Sequence, residues 1–331
     1  MSFAIQTHNL TKTFSRNSNA VPAVNGINLA VHTGEIFGFL GPNGAGKTTT
    51  MRMLTTLLKP TAGTALVAGY DLASEPELVR AHIGYVSQSG GLERDATARE
   101  NLILQARVFG FGAQEAAARV DELIKAFDLG EFADRYVETY SGGQRRRVDI
   151  ALGLVHQPKL LFLDEPTVGL DPQSRAHVWE QIRQLRDEGT TIFLTTHYLD
   201  EADNLCDRVA IVDHGGIVAL DSPLALKRMI ASDIIVLEMS QQAIEGFDAR
   251  VLFASFESIR DDIREVIKET GSIHLLVRHG EKLLPQILRL CDNAGIAITN
   301  IALHHPTLDD VFLKKTGRSF VQEDKNANCV A

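Results

Sequence analysis

Three short apolar runs, each ending in a polar motif, constrain this chain more than any other feature. Glu35-Ile-Phe-Gly-Phe-Leu40 enters a glycine-rich segment, Leu160-Leu-Phe-Leu163 ends at Asp164-Glu165, and Thr191-Ile-Phe-Leu194 leads to His197. A strand apolar at every position is covered on both faces, as where parallel strands feed helices. In open α/β sheets ligands sit at the carboxyl ends of the strands, so the three motifs point to one site. The 331 residues, 44% of them hydrophobic, leave room for one good-sized domain and a smaller one.

The glycine-rich segment reads Gly41, Pro42, Asn43, Gly44, Ala45, Gly46, Lys47, Thr48, Thr49. Its glycines let the backbone approach phosphate oxygens with successive N–H groups aimed at them, and the helix that follows offers its positive end. Lys47 is placed to reach the β- and γ-phosphates of a nucleotide, and Thr48 to offer its hydroxyl to Mg²⁺. Asp164, at a strand end, can hold Mg²⁺ through water, and Glu165 beside it can accept a proton from an attacking water. Adjacent carboxylates at a buried strand end are costly without a cation. A phosphate loop by itself is also compatible with a kinase or a GTPase.

The formal net charge of −9 argues against a chain that lives on nucleic acid, because neutralising backbone phosphates takes a basic surface. Cys206, Cys291 and Cys329 are far apart, with no spacing that suggests a metal site or disulfide framework, which fits a reducing cytosol. Met1 to Phe14 alternates polar and apolar residues, unlike a signal peptide, and no later stretch is long enough to span a bilayer. If a membrane is involved, another polypeptide crosses it.

Residues 1–220 carry the strand-and-helix texture, with a more helical insert at about 88–158 that includes the Ala-rich stretch Gln114 to Phe127. After Asp221-Ser222-Pro223 the pattern changes to a small α/β domain over 221–316. Strands are expected at Asp233 to Met239, Ile273 to Val277 and Ile296 to Leu303, and a helix at Glu281 to Ala294 followed by Gly295. The spacing of Ile259, Ile263, Val266 and Ile267 predicts a further helix, which Gly271 can terminate. Thr307-Leu-Asp-Asp310 forms a capping-box-like pattern before Val311-Phe312-Leu313. Residues 317–331 are polar and read as a flexible tail.

Between the phosphate loop and the acidic pair lies Tyr140-Ser141-Gly142-Gly143-Gln144. It resembles the signature motif of the ATP-binding cassette (ABC) family, in which the phosphate loop of one subunit and the signature of another close over one ATP. Ser141 can cap the helix after it and point its hydroxyl, with the Gly143 N–H, at a γ-phosphate held by a partner. Tyr140 stands where Leu is usual. Arg145, Arg146 and Arg147 follow, and three like charges on a helix read as a solvated face.

Further matches occur in family order. Gln88, after Ile83-Gly-Tyr-Val86, resembles the Q-loop glutamine, which touches Mg²⁺ or the attacking water and rearranges with the transport subunit. His197 resembles the switch histidine that contacts the γ-phosphate and steadies the glutamate. Phe14 resembles the aromatic residue stacked on adenine, where Tyr is commoner. Gly169-Leu170-Asp171 resembles the D-loop, with Asp171 reaching across the dimer, although Val168-Gly169 replaces Ser-Ala. The end of the chain, His305-Pro-Thr-Leu-Asp-Asp-Val-Phe-Leu313 with Thr316-Gly317-Arg318, looks like that of the daunorubicin-resistance type of exporter ATPase.

The resemblance implies a P-loop NTPase fold of the ABC type, a mixed sheet core with a helical subdomain and a small C-terminal α/β domain. It implies ATP and Mg²⁺ as ligands, and a second copy of the chain completing the site. An integral-membrane permease subunit would carry drugs, antibiotics or other hydrophobic cargo outward, with this chain on the cytoplasmic face. The alternative is a non-transport ABC ATPase that remodels ribosomes, DNA or an assembly scaffold. Such members usually carry two cassettes or long coiled coils, and neither feature is present. A P-loop kinase leaves the signature and His197 unexplained.

Overall fold

The computed structural model describes residues 2–16, 19–230, 233–239, 261–269, 272–293 and 298–317. They form two compact units that divide after Pro223.

The N-terminal unit contains two sheets. Strands β1 (Phe3–Arg16) and β2 (Asn19–His32) are long and antiparallel, and with β4 (Ala62–Val67) and β5 (Tyr70–Asp71) they make a four-stranded sheet ordered β2-β1-β4-β5. The second sheet has six strands. These are β3 (Ile36–Leu40), β6 (Ile83–Val86), β7 (Leu160–Asp164), β8 (Thr191–Thr196), β9 (Arg208–Asp213) and β10 (Gly216–Asp221), in the order β10-β9-β3-β8-β7-β6. All are parallel to their neighbours except β10, which runs antiparallel to β9.

This order brings the motifs together. Strand β8 lies between β3 and β7, and β6 lies beyond β7, so four adjacent strand ends carry the phosphate loop, His197, the acidic pair and Gln88. Every residue of β3, β7 and β8 is buried. Phe193 of β8 packs against Phe37, Phe39 and Phe162 at centroid distances of 5.7, 5.6 and 5.5 Å. The same core takes Ile5, Leu10 and Val31 from the four-stranded sheet and Met51 and Leu54 from α1 (Lys47–Leu54). Burying these aromatic rings on one face and Leu161, Leu163, Ile192 and Leu194 on the other makes the sheet a rigid base for the loops at its end.

Three more helices flank the sheet: α2 (Pro76–His82), α6 (Pro172–Asp187) and α7 (Leu199–Leu205), and α8 (Pro223–Ile230) begins at the division between the units. Between β6 and β7 the chain is helical, with α3 (Ala98–Val108), α4 (Ala113–Ala126), a 3₁₀ turn at Val137–Thr139 and α5 (Gly142–Gly153). Thr97 and Glu100 form a reciprocal capping box at the start of α3. Tyr140, which precedes α5, is buried and its hydroxyl donates to the Phe132 and Arg135 carbonyls at 2.6 and 3.1 Å. A tyrosine in place of leucine is thus accommodated with its polar atom satisfied.

The C-terminal unit has an antiparallel sheet ordered β12-β13-β11-β14, formed by β11 (Asp233–Met239), β12 (Ile263–Glu269), β13 (Ser272–Val277) and β14 (Ile298–His304). Helix α9 (Gly280–Asn293) covers one face of it with Leu283, Ile287 and Cys291. The helix expected from Ile263, Val266 and Ile267 is instead strand β12, paired with β13. Three β-branched residues in five favour a strand once an edge is there to pair with, and a bulge between Ile263 and Glu265 sets Ile263 and Val266 against the core while Ile267 is exposed. Ile259 and Gly271 of that pattern lie outside the described residues, as do Ala294, Gly295, Ile296, Arg318 and Cys329. Helix α10 (Leu308–Thr316) starts at the capping box, where Thr307 accepts from the Asp310 N–H and Asp310 from the Thr307 N–H. It ends at Gly317, with φ 78°.

Candidate functional site

The phosphate loop leaves β3 and opens α1 with no side-chain cap, so the first N–H groups of the helix remain to bind an anion. Gly46 has φ 97°, and a Cβ there would lie 2.4 Å from the Ala23 carbonyl oxygen, so only glycine fits. Lys47 is buried and folds back over the loop, its Nζ donating to the Gly41 and Pro42 carbonyls at 2.8 and 3.1 Å and lying 3.5 Å from Glu165 Oε1. Ala45 is buried, Thr48 and Thr49 are half-buried, and Asn43 and Gly44 are exposed at the loop's outer edge.

Glu165 is the centre of the cluster. Gln88 Nε2 donates to its Oε2 at 2.9 Å, and His197 Nδ1 lies 3.2 Å from its Oε1, alongside Lys47. The histidine nitrogen is off the line needed for a directed hydrogen bond. Burial works to raise the Glu165 pKa. His197 and Lys47 more than offset it and hold the carboxyl below the usual range. Its backbone φ is 46°, a left-handed value rare for glutamate and of the kind that clusters at functional sites.

Asp164 differs from its neighbour. Burial pushes its pKa up, with the Thr195 hydrogen bond opposing and the nearby Glu165 charge adding to the rise. The Thr195 hydroxyl donates to Asp164 Oδ1 at 2.5 Å and accepts the Glu165 N–H at 3.1 Å, so one hydroxyl fixes both acids. Thr48 Oγ1 is 3.4 Å from the same Asp164 oxygen. Among the described residues no group of three His, Cys, Asp or Glu side chains could hold a metal ion alone. A hydroxyl and a desolvated carboxylate beside a phosphate loop fit Mg²⁺, whose remaining ligands are then phosphate oxygens and water.

The signature residues form a second cluster. Ser141 caps α5: its hydroxyl accepts the Gln144 N–H at 3.2 Å and Gln144 Oε1 accepts the Ser141 N–H at 3.0 Å. Ser141, Gly143 and Gln144 line a cavity of about 240 Å³ together with Arg147, Ser174 and His177, without any phosphate-loop residue. Gly142 is exposed at its edge. Asp171 caps α6, accepting from the Ser174 N–H and hydroxyl at 2.9 and 2.6 Å. Ser174 stands against Gly143 so closely that a Cβ on the glycine would lie 2.5 Å from the serine oxygen. Phe14 sits apart on β1, with its ring 45% exposed and the Lys12 ammonium 5.3 Å from its centroid.

One of the three arginines after the signature is not on a solvated face. Arg146 is 7% exposed and donates to three backbone carbonyls: Pro166 at 2.8 Å, Ser87 at 2.8 Å and Asp164 at 3.0 Å. It therefore joins α5 to the segments that carry Gln88 and the acidic pair. Helical spacing holds the signal for it, since Arg146, Ile150 and Gly153 share one buried face. Arg147 lies over the Phe132 ring at 5.0 Å, and Arg145 donates to the Glu138 carbonyl at 3.3 Å.

Comparison with known proteins agrees with this geometry. The family pattern described as ABC transporter matches residues 24–168, and that of the C-terminal domain of DrrA1-3-like ATP-binding proteins matches residues 222–316. The daunorubicin/doxorubicin resistance ATP-binding protein DrrA of Streptomyces peucetius is 42% identical over 318 residues, 95% of this chain and 92% of the relative. The chain belongs to the ABC transporter ATP-binding proteins of the DrrA type. It is an ABC ATPase.

Two other relatives widen the range. The linearmycin resistance ATP-binding protein LnrL of Bacillus subtilis (strain 168) is 34% identical over 315 residues, 95% of this chain and 99% of the relative. A Nod factor export ATP-binding protein I of Burkholderia lata is 41% identical over 298 residues, 89% of this chain and 92% of the relative. Among solved structures, a dimeric ATP-binding cassette in a post-hydrolysis state with ADP and Pi superposes with a TM-score of 0.61 at 27% identity. It covers 66% of this chain and 98% of its own. ABC ATPase domains of this kind bind ATP and ADP, and two of the similar solved cassette structures are described as dimeric.

Proposed function

We propose that two copies of this chain sandwich ATP and power export of a drug, antibiotic or other hydrophobic cargo through a separate membrane permease. The observation that carries this reading is the division of the nucleotide machinery into two clusters. Lys47, Gln88, Glu165 and His197 gather at one set of strand ends, while Ser141 and Gly143 line a cavity that contains none of them. A second copy supplying its signature to the first copy's phosphate loop completes each site.

Within the site, Gly41 to Thr49 cradle the phosphates and Lys47 swings from the Gly41 and Pro42 carbonyls to the β- and γ-phosphates. Thr48, Asp164 and Gln88 would hold Mg²⁺, which would supply neutralisation of phosphate charge. Glu165 orients the attacking water and takes its proton, which its depressed pKa permits because it is ionised at neutral pH. His197 keeps Glu165 in place and faces the γ-phosphate. Ser141, Gly142, Gly143 and Gln144 meet that phosphate from the partner. Asp171 shapes the signature through Ser174, and Phe14 offers a ring face to adenine.

The chain would act as a peripheral subunit held at the cytoplasmic face by the permease; among the described residues no helix is long and apolar enough to cross a membrane. Leu104 and Val108, 57% and 72% exposed and one turn apart on α3, support a protein partner on the helical region. Relatives named for drug resistance and for export support the direction and the kind of cargo. The test is a mild-detergent pull-down of the tagged chain from its native membranes, with mass spectrometry of the co-purifying proteins. A multi-span partner in near-equal amount is the expected result. Recovery only with ribosomal, repair or assembly proteins overturns the transport reading.

A further inference from the structure

The C-terminal unit holds a cavity of about 660 Å³ that nucleotide hydrolysis does not use. Five Lys and Arg side chains line it against two carboxylates, in a chain that is acidic overall. The cations converge from separate elements: Lys227 and Arg228 from α8, Arg264 from β12, Arg278 from the turn after β13, and Lys282 from the first turn of α9.

One carboxylate is already committed. Asp233 Oδ2 accepts the Gly280 N–H at the start of α9 at 2.6 Å, and its Oδ1 faces His305 Nδ1 at 3.1 Å. Glu281 Oε1 lies 3.8 Å from His305 Nε2. Among the described residues, none of Arg228, Arg264, Arg278 and Lys282 makes a side-chain ion pair with a carboxylate. Cations gathered around one concavity repel one another until an anion enters.

Shape and wall chemistry narrow the ligand. The volume is that of an organic small-molecule site and much larger than an inorganic ion needs. Leu224, Val277 and Pro306 supply an apolar wall beside the cations. Planar guanidinium groups pair with phosphate oxygens in two-bond geometry, and several cations together match a group with more than one negative charge.

We propose that this cavity binds the phosphate of an organic phosphate ester, separately from the ATP at the nucleotide site. The ester is either a soluble metabolite or the headgroup of an anionic phospholipid. The full chain is tested in a Lys47→Ala background, which removes the main phosphate ligand of the nucleotide site. One arm titrates it with inorganic pyrophosphate in a calorimeter. The other sediments it with phosphatidylcholine vesicles made with and without phosphatidic acid.

Each measurement is repeated with Arg264→Ala/Arg278→Ala added. Pyrophosphate affinity that falls about tenfold or more with the arginine pair supports the proposal with a soluble source. Sedimentation that requires phosphatidic acid and is lost with the pair supports it with a lipid source. Binding in neither arm, or binding that the pair leaves undiminished, overturns it. Both arginines are exposed, so the variant is expected to keep the parent's thermal midpoint. Should that midpoint fall, Lys282→Gln alone carries the same comparison, with about threefold weaker binding as the supporting result and no change as the overturning one.

Discussion

At the end of the six-stranded sheet, charges are buried and held by partners: Lys47 by two carbonyls and Glu165, Arg146 by three carbonyls, Glu165 by Gln88, and Asp164 by Thr195. In the C-terminal unit, cations ring an open cavity, and Arg228, Arg264, Arg278 and Lys282 are exposed. The first arrangement has replaced water with fixed dipoles, so disturbing it leaves desolvated groups without partners. The second keeps its water, so removing a charge changes binding and leaves folding nearly untouched.

Substitutions grade this contrast. Arg146→Met strands two buried carbonyls and a half-buried third and should cost about 3 kcal/mol or more of stability, read from the denaturant midpoint. A loss under about 1 kcal/mol would show that water takes over those carbonyls and that the clamp is dispensable. Gly143→Ala drives a methyl into Ser174 and should lower ATP hydrolysis about tenfold or more with ATP affinity unchanged, because the phosphate loop is intact. Asp171→Ala removes the cap of α6 and should lower the thermal midpoint, by less than Arg146→Met does. At the small end, Arg264→Ala should stay within about 0.5 kcal/mol of the parent.

The paired acids sharpen the comparison within the buried site itself. Glu165, whose pKa is lowered in the folded chain, adds stability that is present above the unfolded-state value and lost as pH falls through the folded one. Asp164, whose pKa is raised, does the reverse: it removes stability as pH rises from the unfolded-state value through the folded one. Asp164→Asn should therefore raise the unfolding midpoint at neutral pH while abolishing Mg²⁺-dependent hydrolysis, and the gain should shrink toward acid pH. A lower midpoint at neutral pH contradicts the assignment of Asp164 as a desolvation cost.

What could be read in advance was what contiguous residues spell out. The phosphate loop depends on glycines at fixed offsets and a lysine at a helix start, so Gly41 to Thr48 announced it without tertiary information. The fully apolar runs likewise identified β3, β7 and β8, because burial on both faces leaves no polar position. Arg146 was hidden, since a run of three arginines looks solvated until the helix is seen to turn its middle member inward. The left-handed backbone of Glu165 is invisible in a residue's identity. Strand β12 reads as a helix because Ile263, Val266 and Ile267 have the spacing of one helix face, whereas a bulge in the pairing with β13 sets Ile263 and Val266 against the core and leaves Ile267 exposed. The cation cavity escaped notice because its residues span Leu224 to Pro306 and meet only in the folded unit.

The claim that two copies share each nucleotide is tested most directly with Glu165→Gln. This variant keeps the phosphate loop and loses the proton acceptor, so it should bind ATP and hydrolyse it about 10² to 10⁴ times more slowly. Multi-angle light scattering with saturating Mg-ATP should then give the mass of a stable dimer, reverting to monomer when the nucleotide is removed. A chain that stays monomeric while ATP is demonstrably bound would contradict the shared site.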